Sequence, residues 1–235
     1  MMVTEIFRSI QGEGTRAGLP CIFIRLTGCN LRCVWCDTAY AFYDGEKKTL
    51  AEVMNQVRAL AAAPSGNGDA PKRAIDLVEI TGGEPLLQPE VVPLCAQLLA
   101  GGYTVMIETS GERDISPASG LPVEVIKILD VKCPDSGEFG KFEMRNLEAV
   151  DTKDEIKFVI ASRRDFEFAR DFTRQHGLAA RVRQVLFSPV HADPAGKWPG
   201  LDARELAEWI LAEGLPVRLG LQLHKFIWPA DARGV

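Results

Sequence analysis

The 235-residue sequence has only three histidines, a single Cys-x-x-Cys pair and no surplus of basic residues. No apolar run approaches the ~20 residues that span a bilayer. Lys and Arg number 27 against 32 Asp and Glu, a net charge of −5, which excludes the basic footprint of a nucleic-acid binder. The first residues, 1–14, contain no apolar stretch of signal-peptide length. The chain is therefore expected in the cytoplasm, free of membrane and nucleic acid. No repeat or break in composition divides it, so one domain is expected over 1–235. With 46% hydrophobic and 25% charged residues, the chain has apolar matter enough for a core of that size.

Cysteine is also scarce, yet three of the six cysteines, Cys29, Cys33 and Cys36, fall within eight residues. Thiolates this close bind a metal, carry redox chemistry or form disulfides. In a compartment that keeps thiols reduced, disulfides are disfavoured. Two plainer readings compete. Positions 29, 33 and 36 follow one helix face, although Gly28 and Asn30 suit a helix interior badly. A structural zinc site needs four ligands, and His176, His191 and His224 lie far along the chain. Three soft ligands on one loop leave a coordination position open, which is the arrangement of a reactive centre. Cys21 and Cys95 fall in apolar segments and are expected to pack, and with Cys133 they are too scattered for a second cluster.

Strands are expected over 21–26, 76–81, 103–108, 123–131, 155–160, 181–186 and 217–226, and helices over 49–63, 89–100, 163–176 and 202–212. Thr49 and Glu52 have capping-box spacing. Residues 64–71 read as a loop, 132–154 as an irregular surface insertion or connection, and 226–235 as a C-terminal tail. Alternating strands and helices imply an α/β fold with mainly parallel strands. In such folds chemistry collects at the carboxyl ends of strands. The polar motifs fall there: the cysteine loop after Leu26, Thr81-Gly82-Gly83-Glu84-Pro85, Glu108-Thr109-Ser110-Gly111, Asp130-Val131-Lys132, Ser188-Pro189-Val190-His191, and His224-Lys225. In the first strand Ile22, Ile24 and Leu26 share one face and Cys21, Phe23 and Arg25 the other. A buried arginine needs an anionic partner, either a ligand carboxylate or an internal Asp or Glu.

The Cys-x3-Cys-x2-Cys loop after one strand and Gly-Gly-Glu-Pro after the next resemble the radical S-adenosylmethionine superfamily. The resemblance covers most of the chain in element order. It implies an incomplete, TIM-like β/α barrel and a 4Fe–4S cluster on Cys29, Cys33 and Cys36. S-adenosylmethionine would occupy the fourth iron, where one electron cleaves it to a 5′-deoxyadenosyl radical. Implied cofactor contacts are Trp35, Cys36, Asp37, Gly83, Glu84, Glu108 and Ser110, then Asp130, Val131 and Lys132, then Ser188, Pro189, Val190 and His191. Glycine permits close backbone approach, and Glu84 is a candidate partner for the ammonium. Trp35 has a second reading as a core residue.

The run Phe7-Arg8-Ser9-Ile10-Gln11-Gly12-Glu13-Gly14, with Arg25, Cys36-Asp37-Thr38 and the late His-Lys pair, is similar to the 7-carboxy-7-deazaguanine synthases of queuosine biosynthesis. Members of that family are homodimeric lyases that use magnesium. They convert 6-carboxy-5,6,7,8-tetrahydropterin to 7-carboxy-7-deazaguanine with loss of ammonia. The similarity implies substrate contacts at Ile10, Gln11, Gly12, Glu13, Arg25, Thr81, His224 and Lys225. It implies Mg2+ on Thr38, with substrate oxygens and water filling an octahedral shell, and a flavodoxin- or ferredoxin-type electron donor. Taken alone, Gln-Gly-Glu-Gly is an ordinary exposed turn, and a late histidine is an ordinary structural residue. Two rivals stand beside this reading: an activating enzyme for a glycyl-radical protein, and a non-catalytic iron–sulfur sensor. The tail either folds back so that Val235 meets substrate or makes no such contact.

Overall fold

Seven strands paired in parallel, extended at one edge by two antiparallel pairings, form one sheet in the structure, a computed structural model that describes residues 1–63, 73–229 and 232–235. The loop expected at 64–71 lies outside the described residues. The strands are β1 (Met2–Ile10), β2 (Pro20–Leu26), β3 (Glu46–Lys47), β4 (Leu77–Gly82), β5 (Thr104–Thr109), β6 (Ile126–Asp130), β7 (Glu155–Ile160), β8 (Gln184–Pro189) and β9 (Arg218–Leu219), in the spatial order β3-β1-β2-β4-β5-β6-β7-β8-β9. The helices are α1 (Leu50–Ala61), α2 (Val91–Ala100), α3 (Arg163–Gln175), α4 (Ala203–Glu213) and the single turn α5 (His224–Ile227). The sheet does not close on itself, so the architecture is the incomplete barrel expected.

Two apolar layers coat the outside. One joins α1 and α2 to β1, β2, β4 and β5 through residues such as Ile24, Val53, Ile80 and Leu94. The other joins α3 and α4 to β6, β7 and β8 through Leu129, Phe158, Phe166, Phe187 and Leu206. Thr49 caps α1 in the full capping box with Glu52, satisfying end groups that a bare helix leaves open. Cys95 and Cys133 pack in these layers. Inside the curl, Cys21, Phe23, Leu77, Met106, Ile126 and Ile128 plug the amino end. Strand alternation then places the next inward residues nearer the carboxyl ends, and those are polar: Arg25, Glu79, Thr81, Glu108, Asp130, Lys157 and Ser188.

The structure departs from the sequence pattern in three places. Residues 2–10 form a long antiparallel strand next to the short edge strand β3, which the sequence pattern did not reveal because much of it is half-exposed. The stretch 217–226 holds only the two-residue β9. After Gly220 the chain leaves the sheet, Leu223 N–H donates to Gly12 C=O at 3.0 Å, and α5 follows. Among the described residues no strand lies beyond β9 to continue the ladder. The segment 132–154 is an irregular connection from β6 to β7 rather than a surface insertion. Ser136, Glu138, Asn146 and Asp154 are buried, and Asn146 donates to Gly111 C=O and Arg113 C=O at 2.8 Å each, shaping the loop after β5.

Candidate active site

The turn after β1 spans the gap in the barrel. Thr15 Oγ1 donates to Glu155 on β7 at 2.5 Å, and Gln222 donates to Glu13 at 2.8 Å. The space enclosed is a cavity of about 530 Å³ at the carboxyl ends of the strands. It brings together every residue the sequence singled out except Glu84 and Val131.

The cysteine loop forms one wall. Residues 29–36 contain no helix, which removes the helix-face reading. Cys29, Cys33 and Cys36 are free thiols, all partly exposed to the cavity. Burial pushes the Cys29 thiol up, and the Cys33 thiol up to about 11, so a bound cation is needed to hold these sulfurs as thiolates. Among the described residues no group of three or more His, Cys, Asp or Glu side chains is placed so as to hold a metal ion. Leu31 N–H already donates to the Cys29 sulfur at 3.4 Å. Three soft donors on one loop, one of them accepting a hydrogen bond, suit an iron–sulfur cluster, and the described residues supply no fourth ligand for a closed zinc site.

The buried segment after β6 clamps this loop. Ser136 C=O accepts from Val34 N–H at 2.9 Å, and Glu138 accepts from Arg32 N–H while pairing with Lys141. Glu138→Ala leaves a loop amide without its acceptor, a cost of about 1 kcal/mol. The expected result is a reconstituted cluster that bleaches several-fold faster in an iron chelator, followed by its visible absorbance. An unchanged bleaching rate would refute the clamp.

Gly82 and Gly83 press the β4 turn against the cysteine loop. A Cβ on Gly83 would stand 2.0 Å from Gly28 C=O and 2.8 Å from Cys29 Cβ. Glu84 does not open into the cavity. Its carboxylate accepts from Thr109 Oγ1 at 2.7 Å, from Ser110 N–H at 2.8 Å and from Ser110 Oγ at 2.7 Å. It is a strut between the β4 and β5 loops, and its lone pairs are spent there rather than on an ammonium. Val131 is 1% exposed and packs in the outer core. Asp130 does face the cavity. Its Oδ2 accepts from Lys132 at 2.7 Å, while Oδ1 is buried without a partner among the described residues. An orphaned acceptor on a cavity wall suits a hydroxyl or ammonium of a bound cofactor.

The floor is a charged network. Lys157 Nζ donates to Glu13 at 2.9 Å and also to Glu108. Thr81 Oγ1 donates to the other Glu108 oxygen at 3.3 Å. Burial works against the Lys157 ammonium, yet Glu108 and then Glu13 hold its pKa well above the ordinary value. Gln11 is fixed at both ends of its amide: Oε1 accepts from Glu13 N–H at 2.9 Å and Nε2 donates to Glu79. Arg25 takes the internal option, since its Nε donates to Glu5 on β1 at 2.7 Å. It still lines the cavity, next to the stacked rings of Phe7 and Phe23, whose centroids lie 5.1 Å apart.

At the rim, Lys225 donates to Asp37 at 2.8 Å, tying α5 to the cysteine loop. His224 abuts Gly12, where a Cβ would stand 2.4 Å from its Nδ1, and burial pulls the imidazole below its ordinary pKa. Trp35 lines the cavity instead of the core. Residues 232–235 fold back to the mouth, with the Arg233 guanidinium 4.0 Å from the Tyr40 ring centroid. Sequence reasoning missed Glu79, Lys157, Glu5 and Tyr40. The parity argument that isolated Arg25 applies equally to Glu79 in β4 and to Lys157 in β7.

Known proteins resemble this chain in sequence and fold. Residues 23–130 match the Radical SAM superfamily. A 7-carboxy-7-deazaguanine synthase of Koribacter versatilis is 52% identical, with 100% of both chains covered. Enzymes of the same name from Chlorobaculum tepidum and Thermoplasma acidophilum are 39% and 37% identical, covering 99% and 100% of this chain and 96% and 100% of theirs. Among solved structures, QueE from Escherichia coli has the same fold, with a TM-score of 0.67 at 23% identity over 95% of this chain and 94% of that one.

Proposed function

The chain belongs to the 7-carboxy-7-deazaguanine synthase family of radical S-adenosylmethionine enzymes, and we propose that its cavity converts 6-carboxy-5,6,7,8-tetrahydropterin to 7-carboxy-7-deazaguanine with loss of ammonia. One observation carries the assignment of the site: the three thiols, the Gly82-Gly83 turn and the Gln11–Glu13–Lys157–Glu108 floor all open into the same enclosed space.

Cys29, Cys33 and Cys36 would hold the 4Fe–4S cluster, and Asp130, Ser188 and the backbone near Gly83 would receive S-adenosylmethionine. Together the cluster and S-adenosylmethionine supply one-electron sulfonium cleavage and hydrogen-atom abstraction. The remaining work belongs to the chain. The Phe7–Phe23 shelf takes the flat face of the heterocycle, and Gln11 and the backbone at Ile10 and Gly12 meet its polar edge. Arg25, half satisfied by Glu5, turns positive charge toward the substrate carboxylate. His224 and Lys225 shut the rim, which excludes water from a reactive intermediate. Thr38 would bind Mg2+ through its hydroxyl, completed by substrate oxygens and water.

The reading also brings a flavodoxin- or ferredoxin-type donor, a homodimer and a cytoplasmic setting, in which the free thiols of the loop stay reduced. No helix among the described residues is long and apolar enough to cross a membrane. A cavity closed below by the Phe23, Met106 and Ile126 plug suits a small substrate better than the segment of a large partner protein.

The test is anaerobic. Reconstituted, dithionite-reduced protein with magnesium, S-adenosylmethionine and the tetrahydropterin should yield 7-carboxy-7-deazaguanine by mass spectrometry. Production of 5′-deoxyadenosine without that product would transfer the protein to another radical reaction.

A further inference from the structure

Glu79 lies one layer below Glu108, on the inner face of β4, level with Phe23 on β2 and Met106 on β5. It is 4% exposed, yet it lines the cavity. Its Oε2 accepts from Gln11 Nε2, which leaves Oε1 free of hydrogen bonds to the described residues. The titratable groups around it come from four elements: Glu13 in the turn after β1, the Cys21 thiol on β2, Glu108 on β5 and Lys157 on β7. Three carboxyls thus share one ammonium. Lys157 is bonded to Glu13 and Glu108, so Glu79 has no cation of its own. Burial, reinforced by Glu108 and Glu13, pushes its carboxyl up to about 8, a direction that favours the protonated form.

We propose that Glu79 is a positioning and specificity residue whose neutral carboxyl fixes the Gln11 amide and points an O–H donor at an acceptor on the ring of a carboxylated heterocycle. The proposal rests on the substrate assignment above. Its logic is one of charge. Ionised, Glu79 would add a further buried negative charge close to an anionic ligand and would turn the donor at Oε1 into an acceptor. Protonated, it keeps Gln11 locked between Glu79 and Glu13 N–H, with the second N–H of the amide left for the ligand. Glutamine at this position keeps the shape, the acceptor for Gln11 and a donor toward the ligand, and it cannot ionise.

The experiment is anaerobic calorimetric binding of 6-carboxy-5,6,7,8-tetrahydropterin to the full chain at about pH 7 and about pH 9, wild type against Glu79→Gln. Titration of the ligand itself affects both proteins alike, so the difference between them belongs to Glu79. The expected result is a wild-type affinity about tenfold weaker at the higher pH relative to Glu79→Gln, with the two proteins within about twofold of each other at the lower pH. Parallel pH curves in two binding proteins overturn the proposal and leave the substrate assignment standing. Failure of both proteins to bind at neutral pH overturns the substrate assignment and the role of Glu79 with it. Infrared difference spectra of ligand-free wild type between the same pH values should show loss of a protonated-carboxyl band that is missing from Glu79→Gln. A wild type without that band refutes the neutral carboxyl even if the variant fails to fold.

Discussion

Lys157→Met is expected to lower kcat/KM for the tetrahydropterin at least about 30-fold, the equivalent of ~2 kcal/mol of lost binding and positioning, and to destabilise the free protein as well. Lys157 is 5% exposed and joins Glu13, from the turn after the first strand, to Glu108 on β5. Methionine fills the same volume without the charge. Two carboxylates then face each other across a desolvated floor, with Glu79 beneath them. Removing one partner of a buried ion pair costs about 3 kcal/mol or more, which for a chain of this size lowers Tm by on the order of 6–12 °C. Burial opposes ionisation of Glu13, but Lys157 holds its carboxyl below the ordinary value. Its share of stability is therefore present above the unfolded carboxylate pKa and is lost as pH falls through the depressed folded one. The deficit of Lys157→Met should accordingly be largest at neutral pH and shrink in acid, where wild type loses the same term. Adding Glu108→Gln should recover Tm without recovering turnover. A variant with wild-type Tm and an unaltered pH profile would show that the network carries no load.

The same residue shows where sequence reading stops. In β7, Glu155 and Lys157 alternate with Ile156 and Phe158, a pattern equally suited to a half-exposed strand. Only the curl of the sheet turns the polar face into an enclosed floor, and the curl is a property of all nine strands together. Arg25 stood out because arginine on an apolar strand is costly, but its partner Glu5 lies on a strand whose own pattern is weak, 20 positions away. Glu84 looked like a ligand group because Ser110, which consumes its lone pairs, sits 26 residues downstream. The contact from Gln222 to Glu13 spans 209 residues. Local signals carried what is local: the capping box of α1, the glycine turn against the cysteine loop, and the placement of polar motifs at strand ends. The pairings that give those motifs their partners arise from closure.

Cys33→Ala carries the second large effect, and its value lies in the contrast with Cys133→Ala. The two thiols are alike in chemistry and opposite in setting. Cys33 is half-buried on the cavity wall, in irregular chain pinned by the segment after β6, while Cys133 is 1% exposed within the outer apolar layer. Losing the Cys33 sulfur takes away one of three ligands for the iron cluster and very little packing. The expected variant is colourless after reconstitution, holds no stoichiometric iron, forms no 5′-deoxyadenosine, and melts within a few degrees of cluster-free wild type, since the side-chain change itself, at a partly exposed site, stays within about 0.5 kcal/mol. Losing the Cys133 sulfur empties a methylene-sized volume of core, a cost of about 1 kcal/mol. That variant should bind its cluster and turn over, with a lowered Tm. Absorbance, iron content and thermal melts on the three proteins decide the matter together. A Cys33→Ala protein that keeps the cluster and cleaves S-adenosylmethionine would remove the triplet from the chemistry, and a Cys133→Ala protein that loses iron would make the buried thiol a ligand.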